Sequence, residues 1–192
     1  MGNGFQGVAY RFRAASEYCR EFEDLFQAPG GAAPGVEVVY RQERALFGFF
    51  VSGLACLESF SFALYALGAF YKPRKFGLSS GHLKSITPLD VADRLGRHWP
   101  GALVSTQMAA LIKDDTFKVW NSIRNVLSHR AVPPRTIWVG GASRPRAAWR
   151  LLEHHGLDRD EPLELVTEPR RRWLEERVRD LWNGVEQSFP PP

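Results

Sequence analysis

Apolar residues at Phe5, Val8, Phe12, Ala15, Cys19, Phe22 and Phe26 recur at alternating steps of three and four, the spacing that lines one face of an α-helix. The pattern stops at Pro29-Gly30-Gly31, and helix breakers continue through Pro34-Gly35. A second helix is predicted over about 36–71. It opens with the polar run RQER and then turns apolar on nearly every side, as a helix enclosed by partners must be.

KPRKFGLSSGHLKSITP reads as a loop, because it places proline, glycine and serine where a helix needs good formers. PLDVADRLGRHWP predicts a short helix with Pro88 in its first turn and Pro100 beyond its end. A further helical piece is expected over 102–112. Asp114 or Asp115 then caps the helix TFKVWNSIRNVLSHR, whose inward stripe is read as Phe117, Trp120, Ile123 and Leu127. That helix must stop before Pro133-Pro134, since the residue ahead of a proline is pushed out of the helical region.

Local signals do not decide residues 135–166. TIWV ahead of Gly140-Gly141 resembles a short strand, while RPRAAWRLLEHHG fits a helix capped by Ser143 or the second arm of a hairpin. The last helix is clearer: Thr167 can cap it, and Leu174, Val178, Leu181 and Val185 make one face. The expectation is an all-α fold, one domain over 1–192, built as a helical bundle with a small strand or loop insertion at 135–166.

At 192 residues, with 44% hydrophobic and 24% charged positions, the chain can bury a substantial core and is neither disordered nor fibrous in composition. Cys19 and Cys56 are far apart and form no CxxC spacing, so no disulfide framework or zinc ligand set is expected. A reducing cytoplasm is the default, and the N-terminus lacks the order of a signal peptide. The stretch 45–70 is long enough to span a bilayer, but it carries Glu58 in its middle and is flanked by basic residues at both ends. A carboxylate at mid-span would be costly in lipid, so a buried central helix is expected and no membrane. The net charge of +4 is modest, but basic residues group as KPRK at 72–75, RPR at 144–146 and RRR at 170–172, clusters of the kind that attract phosphates.

Several motifs lack the context their chemistry needs. GNGFQG at 2–7 has the letters of a phosphate cradle without a preceding strand. His154-His155 has no HExxH or cysteine companion, and there is no GxSxG, P-loop or metal-ligand array. No metal and no cofactor are expected. What stands out is RNVLSH at 124–129. The arginine-to-histidine spacing alone proves nothing, since RLLEHH at 150–155 repeats it. In the first copy, however, a polar Asn125 lies four residues before His129 and shares its face. His129 also closes a long amphipathic helix, where unpaired carbonyls and the helix dipole favour imidazolium. Arg124 and His129 are about 140° apart around the helix and roughly 7.5 Å along it, so a long arginine side chain can converge with the histidine on one anion.

RNVLSH, placed late in a helical chain, resembles the R-x4-6-H motif of the HEPN superfamily (higher eukaryotes and prokaryotes nucleotide-binding), in which a polar residue commonly follows the arginine. The resemblance extends over about 5–189, more weakly through LESFSFALY at 57–65, which is similar to the acid-bearing second helix of several bacterial members. It implies a four-to-five-helix bundle, dimerisation that joins two motifs and, in active members, metal-independent RNA cleavage of the toxin or phage-defence kind. Other members serve as non-catalytic binding or interaction modules, some partnered by nucleotidyltransferases. No GS…DxD signature is present here, so a nucleotidyltransferase or antitoxin partner would be a separate chain. On this reading Arg124 and His129 are catalytic, Asn125 orients the histidine or the phosphate, and Glu58 supports Arg124. Arg130, Arg135, Lys72, Arg74 and Lys75 would contact RNA phosphates.

Overall fold

The computed structural model describes residues 2–27, 34–129, 135–138, 146–149 and 166–189, which form seven helices and two strands. In order these are α1 (Gly2–Gln27), α2 (Val36–Tyr71), α3 (Ser80–Lys84), α4 (Pro88–His98), α5 (Leu103–Lys113), α6 (Asp115–His129), β1 (Arg135–Trp138), β2 (Arg146–Trp149) and α7 (Thr167–Ser188). The protein is predominantly helical. β1 and β2 pair antiparallel, with Arg135 opposite Trp149 and Trp138 opposite Arg146.

Two compact units divide the chain: Met1–Arg11 with Ala55–Lys118 and Leu174–Pro192, and Phe12–Leu54 with Val119–Trp173. In the first, Phe60, Leu64, Tyr65, Phe76, Leu95 and Met108 are among the buried residues. Phe5 meets Phe60 and Trp182 edge to face, with centroids 5.6 and 4.9 Å away, the arrangement that ring quadrupoles favour. Phe76 folds the chain after α2 back onto that helix. Its ring lies where Gly68 leaves room, since a Cβ on Gly68 would stand 2.7 Å from it. The Tyr65 hydroxyl fixes the same turn by donating to the Gly77 carbonyl at 3.0 Å. In the second unit, Phe22, Leu46, Phe49, Phe50, Trp120 and Ile123 are fully buried, and Gln42 donates to the Leu25 carbonyl at 3.0 Å.

Three local expectations need correction. The region after α2 is not all loop, because Ser80–Lys84 closes one short helical turn; five residues at helical spacing, with no buried side chain, leave no apolar pattern to read. Along α6 the buried stripe runs through Trp120, Ile123 and Val126, with Phe117 and Leu127 only half-buried. Thr167 begins α7, but its fully buried hydroxyl accepts no helix amide among the described residues and so does not cap the helix. Thr87 does cap α4, accepting from the Asp90 amide at 3.1 Å with Pro88 in the first turn.

α2 is long and apolar enough to cross a membrane, and 61% of its most apolar window is buried within the protein.

Candidate functional site at the end of helix α6

The site begins with how α6 is seated. The Asp114 side chain accepts the Thr116 amide at 2.8 Å, which satisfies one of the free donors at the helix start. One turn on, the Trp120 indole donates to the Phe50 carbonyl at 2.9 Å. Its ring packs against Phe49, Phe50 and Trp173 at centroid distances of 5.0, 5.6 and 5.7 Å. Gly53 makes this possible: a Cβ there would lie 2.1 Å from Trp120 Cζ2. A fully buried indole with its N–H bonded and its ring keyed against a glycine fixes the rotation of α6 about its axis.

That rotation determines which faces of the later residues reach solvent. Ile123 is buried, Arg124 is half-buried beside it, and Asn125 is exposed. The helix ends at His129, so RNVLSH occupies the last two turns, where backbone carbonyls lose their intrahelical partners and the dipole is negative. Asn125 and His129 are one helical repeat apart. The side chain of His129 and the whole of Arg130 lie outside the described residues, as do His154 and His155. Arg135 opens β1, with its side chain also outside the description. Glu58 is half-buried on α2 in the first compact unit, whereas Arg124 belongs to the second.

The three basic clusters have different fates. Of RPR at 144–146, Arg144 and Pro145 lie outside the described residues, and Arg146 opens β2. In the 170–172 cluster, Arg171 and Arg172 both hold Glu168, at 2.7 and 2.8 Å. Those contacts carry the Glu168 carboxyl down to about 2, Arg171 contributing most, against the opposing effect of burial. These guanidiniums are therefore occupied, contrary to the expectation that the cluster is free for phosphate.

The 72–75 cluster differs. Lys72 donates to the His98 carbonyl at 2.6 Å and rests on the Trp99 ring at 4.4 Å, while Arg74 and Lys75 are exposed. Sequence reading found the lysines and missed His98 and Trp99, which lie beyond the intervening α3 and carry no spacing that ties them to residue 72.

A second group was also not legible in the sequence. Cys19 Sγ lies 3.4 Å from a Glu23 oxygen and 4.0 Å from Glu168, three donors close enough together to hold a cation. Burial and the neighbouring Glu23 charge push the Cys19 thiol up to about 12, and the adjacent Thr167 hydroxyl opposes this. Both Glu168 oxygens are already taken by arginine, so the group is charge-neutralised by the protein itself.

No protein-family model matches the chain, and neither a curated protein nor a solved structure matches it.

Proposed function

We propose that this protein is a metal-independent endoribonuclease with a HEPN-like helical bundle, working as a cytoplasmic homodimer of the toxin or phage-defence kind. The observation that carries the reading is the position of RNVLSH. The motif occupies the last two turns of a helix locked by Trp120, with Asn125 exposed beside it. A helix end pre-organises charge at little entropic cost.

Cleavage without metal needs a base to take the proton from a ribose 2′-hydroxyl and an acid to protonate the departing 5′-oxygen. The phosphorane between them needs positive charge. A histidine near neutrality serves either proton step, and Arg124 offers planar donors to phosphate oxygens. One imidazole cannot be base and acid in the same step. A second copy of the chain would supply the other His129. Attack of the 2′-oxygen on phosphorus then breaks the P–O5′ bond and leaves a 2′,3′-cyclic phosphate.

The half-burial of Arg124 favours a second reading, a non-catalytic RNA-binding or protein-interaction module in which the arginine is structural. Incubating wild type, Arg124→Ala and His129→Ala with mixed tRNA and mRNA in EDTA separates them. Cleavage by wild type alone, with 2′,3′-cyclic ends, is expected. Absence of cleavage by wild type, or equal cleavage by all three proteins, would exclude the nuclease and leave the module.

A further inference from the structure

A set of positive charges far along the chain from RNVLSH is left unneutralised by the fold. Lys72, Arg74 and Lys75 have no carboxylate partner among the described residues, in contrast to the paired arginines of α7. α4 adds to them. Arg94 bonds Asp90 at 2.8 Å through Nε but sends Nη1 to the Lys75 carbonyl at 3.0 Å. Arg97 meets Asp93 only at 4.0 Å, with both side chains exposed. His98 shows where these charges converge. Desolvation, then Lys72, Lys75, Arg97 and Arg94 in turn, hold its imidazole below the ordinary value, and every charge acting on it is a cation. Folding has concentrated positive potential at one spot, which is the electrostatic condition for an anion site.

Two further features select among anions. The cations are held at fixed positions: Lys72 is pinned by the His98 carbonyl and the Trp99 face, and Arg94 is pinned by the Lys75 carbonyl. Fixed charges suit a polymer whose phosphates recur at set intervals better than a fluid array of headgroups. Aromatic rings accompany them, with Phe70 68% and Tyr71 44% exposed at the end of α2, immediately before Lys72. Exposed rings beside backbone-tracking cations are what sequence-tolerant single-strand binding uses, because every base has a face to stack. We infer that the α2–α4 surface formed by Lys72, Arg74, Lys75, Arg94 and Arg97 around His98 binds the phosphate backbone of single-stranded RNA, with Phe70 and Tyr71 as base platforms. This rests on the proposed RNA function and assigns to that RNA a binding surface separate from the RNVLSH motif in sequence.

Binding carries a proton signature. A phosphate next to His98 favours imidazolium, so the complex takes up a proton and affinity rises as pH falls from about 8 to about 6. The test is fluorescence anisotropy with a labelled 2′-O-methyl oligouridylate, which cannot be cleaved, over a series of salt concentrations. Arg74→Glu/Lys75→Glu is the informative variant, since both side chains are exposed and circular dichroism verifies its fold. The expected result is a loss of at least about tenfold in affinity, with the salt slope lowered by about two. His98→Gln should flatten the pH dependence, and Arg124→Ala should keep most of the affinity. RNA cleavage by wild type, combined with undiminished binding by the double variant, would overturn the surface and leave the nuclease reading intact. RNA binding lost in the double variant, with no cleavage by wild type, would support the surface and sink the nuclease. Loss of binding to phosphatidylserine vesicles with unchanged RNA binding would replace RNA by a membrane.

Discussion

Gly53→Ala tests whether α6 is keyed in place by Trp120. The added methyl would stand 2.1 Å from Trp120 Cζ2 and 2.9 Å from Cε2, well inside carbon–carbon contact, and both partners are rigid. One is helix backbone and the other a fully buried ring. Overpacking of this kind costs about 1–3 kcal/mol. If the indole retreats it also loses its bond to the Phe50 carbonyl, about 0.5–1.5 kcal/mol. Replacing glycine by alanine inside a helix returns roughly 1 kcal/mol, so the net expectation is a destabilisation of about 2 kcal/mol. Urea denaturation followed by circular dichroism measures it. Gly96→Ala on α4, where a Cβ meets nothing within 4 Å, is the control and should gain up to about 1 kcal/mol. Trp120→Phe removes the clashing atoms, so Gly53→Ala should cost less in that background. Equal stabilisation by the two alanine variants would show that Trp120 does not key α6, and the fixed presentation of Arg124 would lose its physical basis.

Cys19 and Cys56 are both buried with thiols pushed up to about 12, by desolvation first in each case. Neither should react with a thiol-specific disulfide reagent at about pH 8 until denaturant is added; rapid labelling of the native protein would contradict their burial. Because both values are raised above the ordinary 9.0, the thiols' contribution to stability is intact below about pH 9 and is lost as pH rises through about 12. A Cys19→Ala/Cys56→Ala variant should therefore show a shallower alkaline decline in midpoint. Glu168 runs the other way: lowered from 4.5 to about 2, it stabilises above about pH 4.5 and loses that effect as pH falls through about 2. Glu168→Gln should be less stable at neutral pH and flatter across the acid limb, and an unchanged acid limb would show that the Arg171 and Arg172 pairs contribute nothing.

Long apolar periodicities in the sequence located the helices well, because burial of one face is what selects those segments as helices. Alternating steps of three and four from Phe5 to Phe26 correspond to α1, and the continuous apolar run after RQER corresponds to α2, observed at Val36–Tyr71. Capping chemistry was legible where a single side chain decides it, as at Thr87 and Asp114. It failed at Thr167, whose hydroxyl is directed by its surroundings in the folded chain and not by its own turn. The candidate site was legible only as letters on a helix end. Its seating through Trp120 and Gly53 depends on a contact between residues far apart in sequence. The fate of the arginine cluster on α7 was closer to hand. Arg170-Arg171-Arg172 reads as free charge until Glu168, three and four residues before the last two, is seen to hold those two. That pairing was available at helical spacing and could have been found.

The contact of Phe5 with Trp182 has a consequence for synthesis. The two rings belong to the first and last described helices, so part of the core that also includes Phe60 waits until α7 has left the ribosome. Non-local closure of this kind slows folding and leaves apolar surface uncovered meanwhile. A nascent chain that stops before α7 retains α6 and its RNVLSH letters but lacks the helix that completes the Phe5 cluster. Translation to the far end of α7 is thus a condition for the native fold. A circular permutant that joins α7 directly to α1 would relax that condition, because the two helices are already neighbours.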